Sequence, residues 1–235
     1  MRKLMGFALL AATATAGAQQ VVDDFESGTN PNQWGWTNST DSVANIVMAG
    51  GNPGAWVDST VPYFVDHPNF TALPPAGSPL RAALDSGTLH TASVDLQRLD
   101  TSDVSGCFPV YTLPSTLTLS LIDTHTADYV IEAHTTEGKT SPTQGPFAWL
   151  SAKFTIPSDA TDTPPGWVLN VDPDLNYTWA DLMHNIDGIR FFVVSPDDIT
   201  FSSCWHLGAD NAVVTYGTTD TDTVFTDGFD GAAPP

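Results

Sequence analysis

Positive charge is what this sequence has least of: 7 Lys and Arg stand against 27 Asp and Glu, a net charge of −20. Phosphate-bearing partners need clustered Lys and Arg to displace counterions, so nucleic acid and anionic membrane surfaces are poor matches for this chain. Cysteine is nearly as scarce. Cys107 and Cys204 are the only two, too widely separated to suggest metal ligation, and in an oxidising compartment they most simply make one disulfide. Such a bridge closes a long loop and contributes at most roughly 4–5 kcal/mol by chain entropy; two buried thiols are the competing reading. No segment approaches the roughly 20 apolar residues that a membrane-crossing helix needs. Absent too are His-Glu-x-x-His, Gly-x-Ser-x-Gly, P-loop and Cys-x-x-Cys motifs, and His67, His90, His125, His134, His184 and His206 show no metal-site spacing. The sequence therefore presents no catalytic motif.

What is present begins with Met1-Arg2-Lys3, the apolar run Leu4 to Ala12, and Ala16-Gly17-Ala18. That basic, hydrophobic and small-residue order is a secretory signal, with cleavage expected after Ala18. The mature protein is then secreted, extracellular or periplasmic, and more acidic still. Acidity of this degree keeps a surface soluble and also suits divalent cations. Residues 19–216 are expected to form one domain and residues 217–235 a flexible acidic tail, Thr- and Asp-rich at its start. Asp220-Thr221-Asp222 opens like an EF-hand loop, but Val224 and Phe225 stand where an oxygen ligand and Gly are required.

Within the domain, short alternating runs predict strands around 44–48, 92–96, 117–121, 129–133, 147–156, 189–194 and 212–216. Gly- and Pro-rich loops separate them at 50–54, 73–77 and 163–166. Trp179, Leu182, Met183 and Ile186 recur at helical spacing, which predicts one short helix. Many short strands with almost no helix point to an all-β jelly-roll sandwich.

Asp23-Asp24-Phe25-Glu26-Ser27-Gly28 with Trp34 and Trp36 resembles the first strand of galactose-binding-like jelly rolls and bacterial carbohydrate-binding modules. Phe147-Ala148-Trp149, Phe154-Thr155-Ile156-Pro157, Trp179-Ala180-Asp181-Leu182 and Gly208-Ala209-Asp210-Asn211-Ala212 resemble the laminin IV (laminin B) pattern. The resemblance implies that first and last strands lie side by side, with Asp24, Glu26 and Asp210 as ligands of a structural calcium. Calcium takes 6–8 oxygens at about 2.3–2.6 Å, which suits such carboxylates. The alternative is that Asp24 and Asp210 hydrogen-bond turn backbone or merely face solvent.

Sugar rings stack on exposed aromatics. Trp56, Tyr63 and Trp167, in or beside Gly- and Pro-rich loops, are the candidate platforms, whereas Trp149, Trp179 and Trp205 read as core. The leading expectation is a non-catalytic module for extracellular polysaccharide or matrix. A hydrolase working through carboxylates such as Asp123, Asp128 and Glu132 on the concave sheet face is the second reading, since glycoside cleavage needs a carboxyl pair about 5–9.5 Å apart. A purely structural or adhesion protein is the third.

Overall fold

The computed structural model describes residues 17–26, 33–38, 44–61, 69–100, 114–194 and 205–217. Within them the chain crosses repeatedly between two antiparallel sheets. One sheet contains β1 (Gln19–Asp23), β3 (Asn45–Gly51), β4 (Gly54–Val61), β6 (Leu89–Arg98), β10 (Phe147–Thr155) and β13 (Trp205–Tyr216). The other contains β2 (Trp36–Asn38), β5 (Asn69–Ala72), β7 (Pro114–Asp123), β8 (Ile131–Thr135), β9 (Lys139–Gln144), β11 (Trp167–Asn170) and β12 (Gly188–Val194). The first runs β10-β6-β13-β4-β3, with β1 along the second half of β13; the second runs β11-β8-β7-β12-β5-β2, with β9 on β7. First and last described strands pair directly, Gln19 opposite Tyr216 and Asp23 opposite Ala212. The expected all-β sandwich is therefore the observed fold.

Alternation decides which side chains meet between the sheets. On β7, Leu117, Leu119 and Leu121 point inward and are buried, and Ile189, Phe191 and Val193 of β12 do the same beside them. Each such side chain contributes roughly 1.5–3 kcal/mol by leaving water. Trp34 and Trp36 are fully buried in the same core, stacked with ring centroids 5.7 Å apart, and Trp36 also meets Phe191 at 6.3 Å.

The predicted helix is present as α2 (Trp179–Asn185), its Trp179, Leu182 and Met183 turned to the core. A capping box starts it: Thr178 Oγ1 accepts from the Asp181 amide at 3.2 Å, while Asp181 Oδ2 accepts from the Thr178 amide at 2.8 Å. A further helix, α1 (Pro79–Asp85), was not expected. Ser78 caps it and Pro79 opens it, but seven residues are too few for a periodic pattern to stand out beside a Pro-rich loop. No helix among the described residues is long and apolar enough to cross a membrane.

The expected disulfide, the Tyr63 platform, the leader before residue 17 and the tail beyond residue 217 lie outside the described residues, as does the Trp205 side chain.

Candidate functional site

The outward side chains of the second sheet form a groove of about 630 Å³. Its rows follow from strand register. Arg190 on β12 lies opposite Thr71 of β5 and Ser120 of β7, and Ser120 lies opposite His134 of β8. One row over, Phe192 faces Asn69 and Thr118; on the other side, Glu132 lies between Ile122 and Asn170. The period of two puts Arg190, Phe192 and Val194 in the groove and their neighbours Ile189, Phe191 and Val193 in the core.

The polar groups there are held in place by one another. Arg190 Nη1 donates to Glu132 Oε2 at 3.0 Å, and its Nε donates to Thr71 Oγ1 at 3.0 Å. Thr71 Oγ1 in turn donates to Asn69 Oδ1 at 2.9 Å. His134 Nδ1 lies 3.3 Å from Asn170 Nδ2, and its ring meets Phe192 edge-on at 6.5 Å. Arg190 and Glu132 keep 28% and 23% of their side chains exposed, enough for a ligand to reach the pair. The groove thus offers an apolar ring flanked by fixed donors and acceptors. Glu132 is the only acid among the described residues lining it; Asp123 is fully buried and Asp128 is not part of the lining.

Two of the three expected platforms are not platforms. Trp56 lies on the outer face of the first sheet, but a Cβ on Gly208 would come within 2.6 Å of its ring, so the indole lies directly on the β13 backbone. With Trp149 against it at 6.2 Å and its Nε1 bonded to the Ala49 carbonyl, Trp56 is only 8% exposed. Trp149, expected in the core, is half-buried over Trp56 instead. Trp167 is buried against Trp179, ring centroids 5.1 Å apart. Phe192 was overlooked because the four apolar residues Phe191 to Val194 do not alternate with polar ones, so the sequence does not show which of them face outward.

A second polar centre lies on the first sheet, where β13 carries a bulge after Asp210. Asp210 is fully buried and sits directly opposite Asp95 of β6, a like-charge pair that destabilises a sheet unless something offsets it. Its Oδ1 accepts from the Asn211 amide at 2.7 Å and its Oδ2 from the Asn52 amide at 2.5 Å. Burial, with Asp95 and Glu26 adding negative charge, pushes its carboxyl up to about 6 despite those bonds. Glu26 Oε1 accepts from the Ala55 amide at 2.6 Å. Among the described residues, Phe25 (φ 57°) and Asn211 (φ 49°) are the non-glycine residues with positive φ, and each adjoins one of these acids. Strain of that kind collects where a side chain must be aimed.

A Cβ on Gly51 would lie 2.7 Å from both Asp210 Oδ2 and the Ala55 carbonyl oxygen, and 2.9 Å from the Gly54 carbonyl oxygen. The three heavy atoms nearest that point are oxygens, the atom type a hard cation takes, although Asp210 Oδ2 already accepts from the Asn52 amide. The charge of Glu26 reaches Asp210; Asp24 and Glu26 are both exposed, and Asp24 Oδ1 accepts from the Glu26 amide at 3.1 Å, as Asp210 accepts from the Asn52 and Asn211 amides. Asp95 and Asn52 were not anticipated, since their pairing with Asp210 is set by long-range register.

No protein-family model and no curated protein matches the chain. Among solved structures it is similar to a conserved carbohydrate esterase from the Shiga toxin-encoding bacteriophage phi24B, at 11% identity and a TM-score of 0.42 over 86% of this chain and 100% of that one. It is also similar to a crystal structure described as domains CD (residues 230–489), at 16% identity and a TM-score of 0.30, over 74% of this chain and 60% of that one.

Proposed function

We propose that the protein is an exported, non-catalytic carbohydrate-binding module whose ligand lies in the groove on the second sheet, and that a structural calcium joins its first and last strands. The groove carries this reading: Phe192 supplies a ring face beside the Glu132–Arg190 pair, His134, Asn69 and Asn170, the combination that stacks on a sugar ring and bonds its hydroxyls. Its fixed internal bonds keep the ordering cost of binding low. Among the described residues Glu132 is the one acid lining the groove, and it is already paired with Arg190, whereas glycoside cleavage uses two carboxyls.

Calcium would be held by Asp210 and Glu26 with the carbonyls around Gly51, and Asp95 would add charge nearby. It would neutralise acids that otherwise face one another, leaving the groove on the opposite sheet untouched.

The test is binding to a panel of neutral oligo- and polysaccharides, with product release followed in parallel. Binding without hydrolysis is expected, and Phe192→Ala is expected to weaken it by removing the ring face on which the sugar stacks. Hydrolysis that disappears in Glu132→Gln would establish the hydrolase instead, and silence across the panel would leave a structural or adhesion role.

A further inference from the structure

At the end of β7 the chain brings together three residues that lie in separate segments. Asp123 closes the strand, His125 follows in the turn, and Asp187 stands on the link between α2 and β12, tied to β7 by its amide donating to the Ile122 carbonyl at 2.9 Å. One potential ligand atom from each lies within 4.8 Å of the other two.

The Asp187 side chain is only 4% exposed. Its Oδ2 accepts from the Thr124 amide at 3.1 Å and from Thr124 Oγ1 at 2.5 Å, and it contacts His125 Nδ1. Its Oδ1 is buried with no hydrogen-bond partner. Leaving a buried carboxylate oxygen without a donor is costly, so an orphan of this kind calls for a missing partner. Arg81 is near enough to interact with Asp187 electrostatically, but its hydrogen bonds go to Asp85.

Asp123 holds its position through Oδ1, which accepts from the His125 and Thr126 amides at 2.8 and 3.1 Å. Its Oδ2 accepts from Tyr177 Oη at 2.7 Å, and the Thr126 side chain also bonds the carboxylate. The His125 ring is 79% exposed and opens on a hollow of about 460 Å³ that His184 also lines. His184 Nδ1 lies 2.6 Å from the Ala180 carbonyl, which places its proton there and leaves Nε2 as the free lone pair.

We propose that Asp123, His125 and Asp187 form a cation site separate from the calcium cradle and selective for a divalent transition ion such as Zn²⁺. The imidazole nitrogen decides the ion, because a mixed nitrogen and carboxylate set suits zinc whereas calcium prefers oxygen alone. His184 lines the same hollow as His125. The site was invisible to motif reading because its ligands come from β7, the turn after it and the α2–β12 link.

The test is calorimetric titration of the untagged, EDTA-treated full chain with ZnCl₂ in excess CaCl₂, so that any oxygen-only site is taken by calcium. One Zn²⁺ per chain is expected, with affinity reduced at least about tenfold in His125→Ala and Asp187→Asn. Asp187→Asn also disturbs the Thr124 turn, so His125→Ala, on an exposed side chain, is the deciding variant. No stoichiometric uptake by the wild type, or uptake that His125→Ala leaves unchanged, overturns the site.

Discussion

Saturating calcium is expected to raise the melting temperature of the EDTA-treated protein by about 5–10 °C. A ligand at about a hundredfold excess over its Kd adds about 2.7 kcal/mol, and for a chain of this size each kcal/mol is worth about 2–4 °C. Asp210→Ala is expected to abolish the response and Asp24→Ala to leave it intact, since only the former carboxyl is buried against the Gly51 loop. Differential scanning calorimetry with and without calcium checks both.

The same centre fixes a pH dependence. Asp210 moves from the ordinary 3.8 to about 6 in the folded metal-free protein. A carboxyl raised on folding binds its proton more tightly in the native state, so its contribution to stability is complete below about pH 4. It is lost as pH rises through about 6. The loss is on the order of 3 kcal/mol at most, from a shift of about two units. Asp23, raised chiefly by burial, acts in the same direction. Asp123 acts oppositely: burial pushes it up, but bonds from Thr126, His125 and Tyr177 outweigh that and hold it below 3.8, so its contribution fades only in stronger acid. The metal-free chain is therefore expected to be more stable near pH 4.5 than at pH 7, with calcium restoring more stability at pH 7. Urea midpoints at the two pH values, with and without calcium, measure this. Equal midpoints for the metal-free chain would contradict it.

The largest loss from a single substitution is expected at Trp36. The residue is fully buried, stacks on Trp34, meets Phe25 at 6.2 Å and Phe191 at 6.3 Å, and donates through Nε1 to Asp23 Oδ2 at 3.0 Å. Trp36→Ala is expected to cost about 3–5 kcal/mol from the cavity alone. Trp36→Phe separates the terms, keeping most of the apolar body while removing a bond to a buried carboxylate, worth about 1.5–3 kcal/mol. Because that bond opposes the desolvation of Asp23, the cost of Trp36→Phe should shrink as pH falls and Asp23 takes up a proton. A cost independent of pH would show that the Asp23 contact contributes nothing.

Much of the sandwich was legible because local pattern and global fold agree. Leu117, Leu119 and Leu121 alternate with polar residues, and the sheet uses that alternation as written. Trp179, Leu182 and Met183 mark one helix face, and Thr178 starts it. Where glycine and proline dominate, the reading weakened. The stretch from Gly50 to Gly54 reads as a loop yet joins two paired strands, and β9 carries Pro142 at an edge where a missing amide is tolerated.

The sites depended on register, which periodicity does not encode. Pairing of Asp210 with Asp95, and the row from Thr71 through Arg190 and Ser120 to His134, arise from residues far apart in the chain. Trp56 shows the same limit in reverse: its loop-like surroundings suggested exposure, but Gly208, some 150 residues later, leaves the flat backbone on which the indole lies. Glu26 and Asp210 could be anticipated as a pair only through the resemblance that sets first and last strands side by side.

The most direct test of the central claim is to titrate an oligosaccharide from the panel into the ¹⁵N-labelled protein and follow amide shifts. The groove predicts perturbation of Thr118, Glu132, His134, Arg190 and Phe192, with the opposite face around Trp56 and Trp149 unchanged. Shifts centred on Trp56 and Trp149, or no shift from any glycan tested, would contradict it.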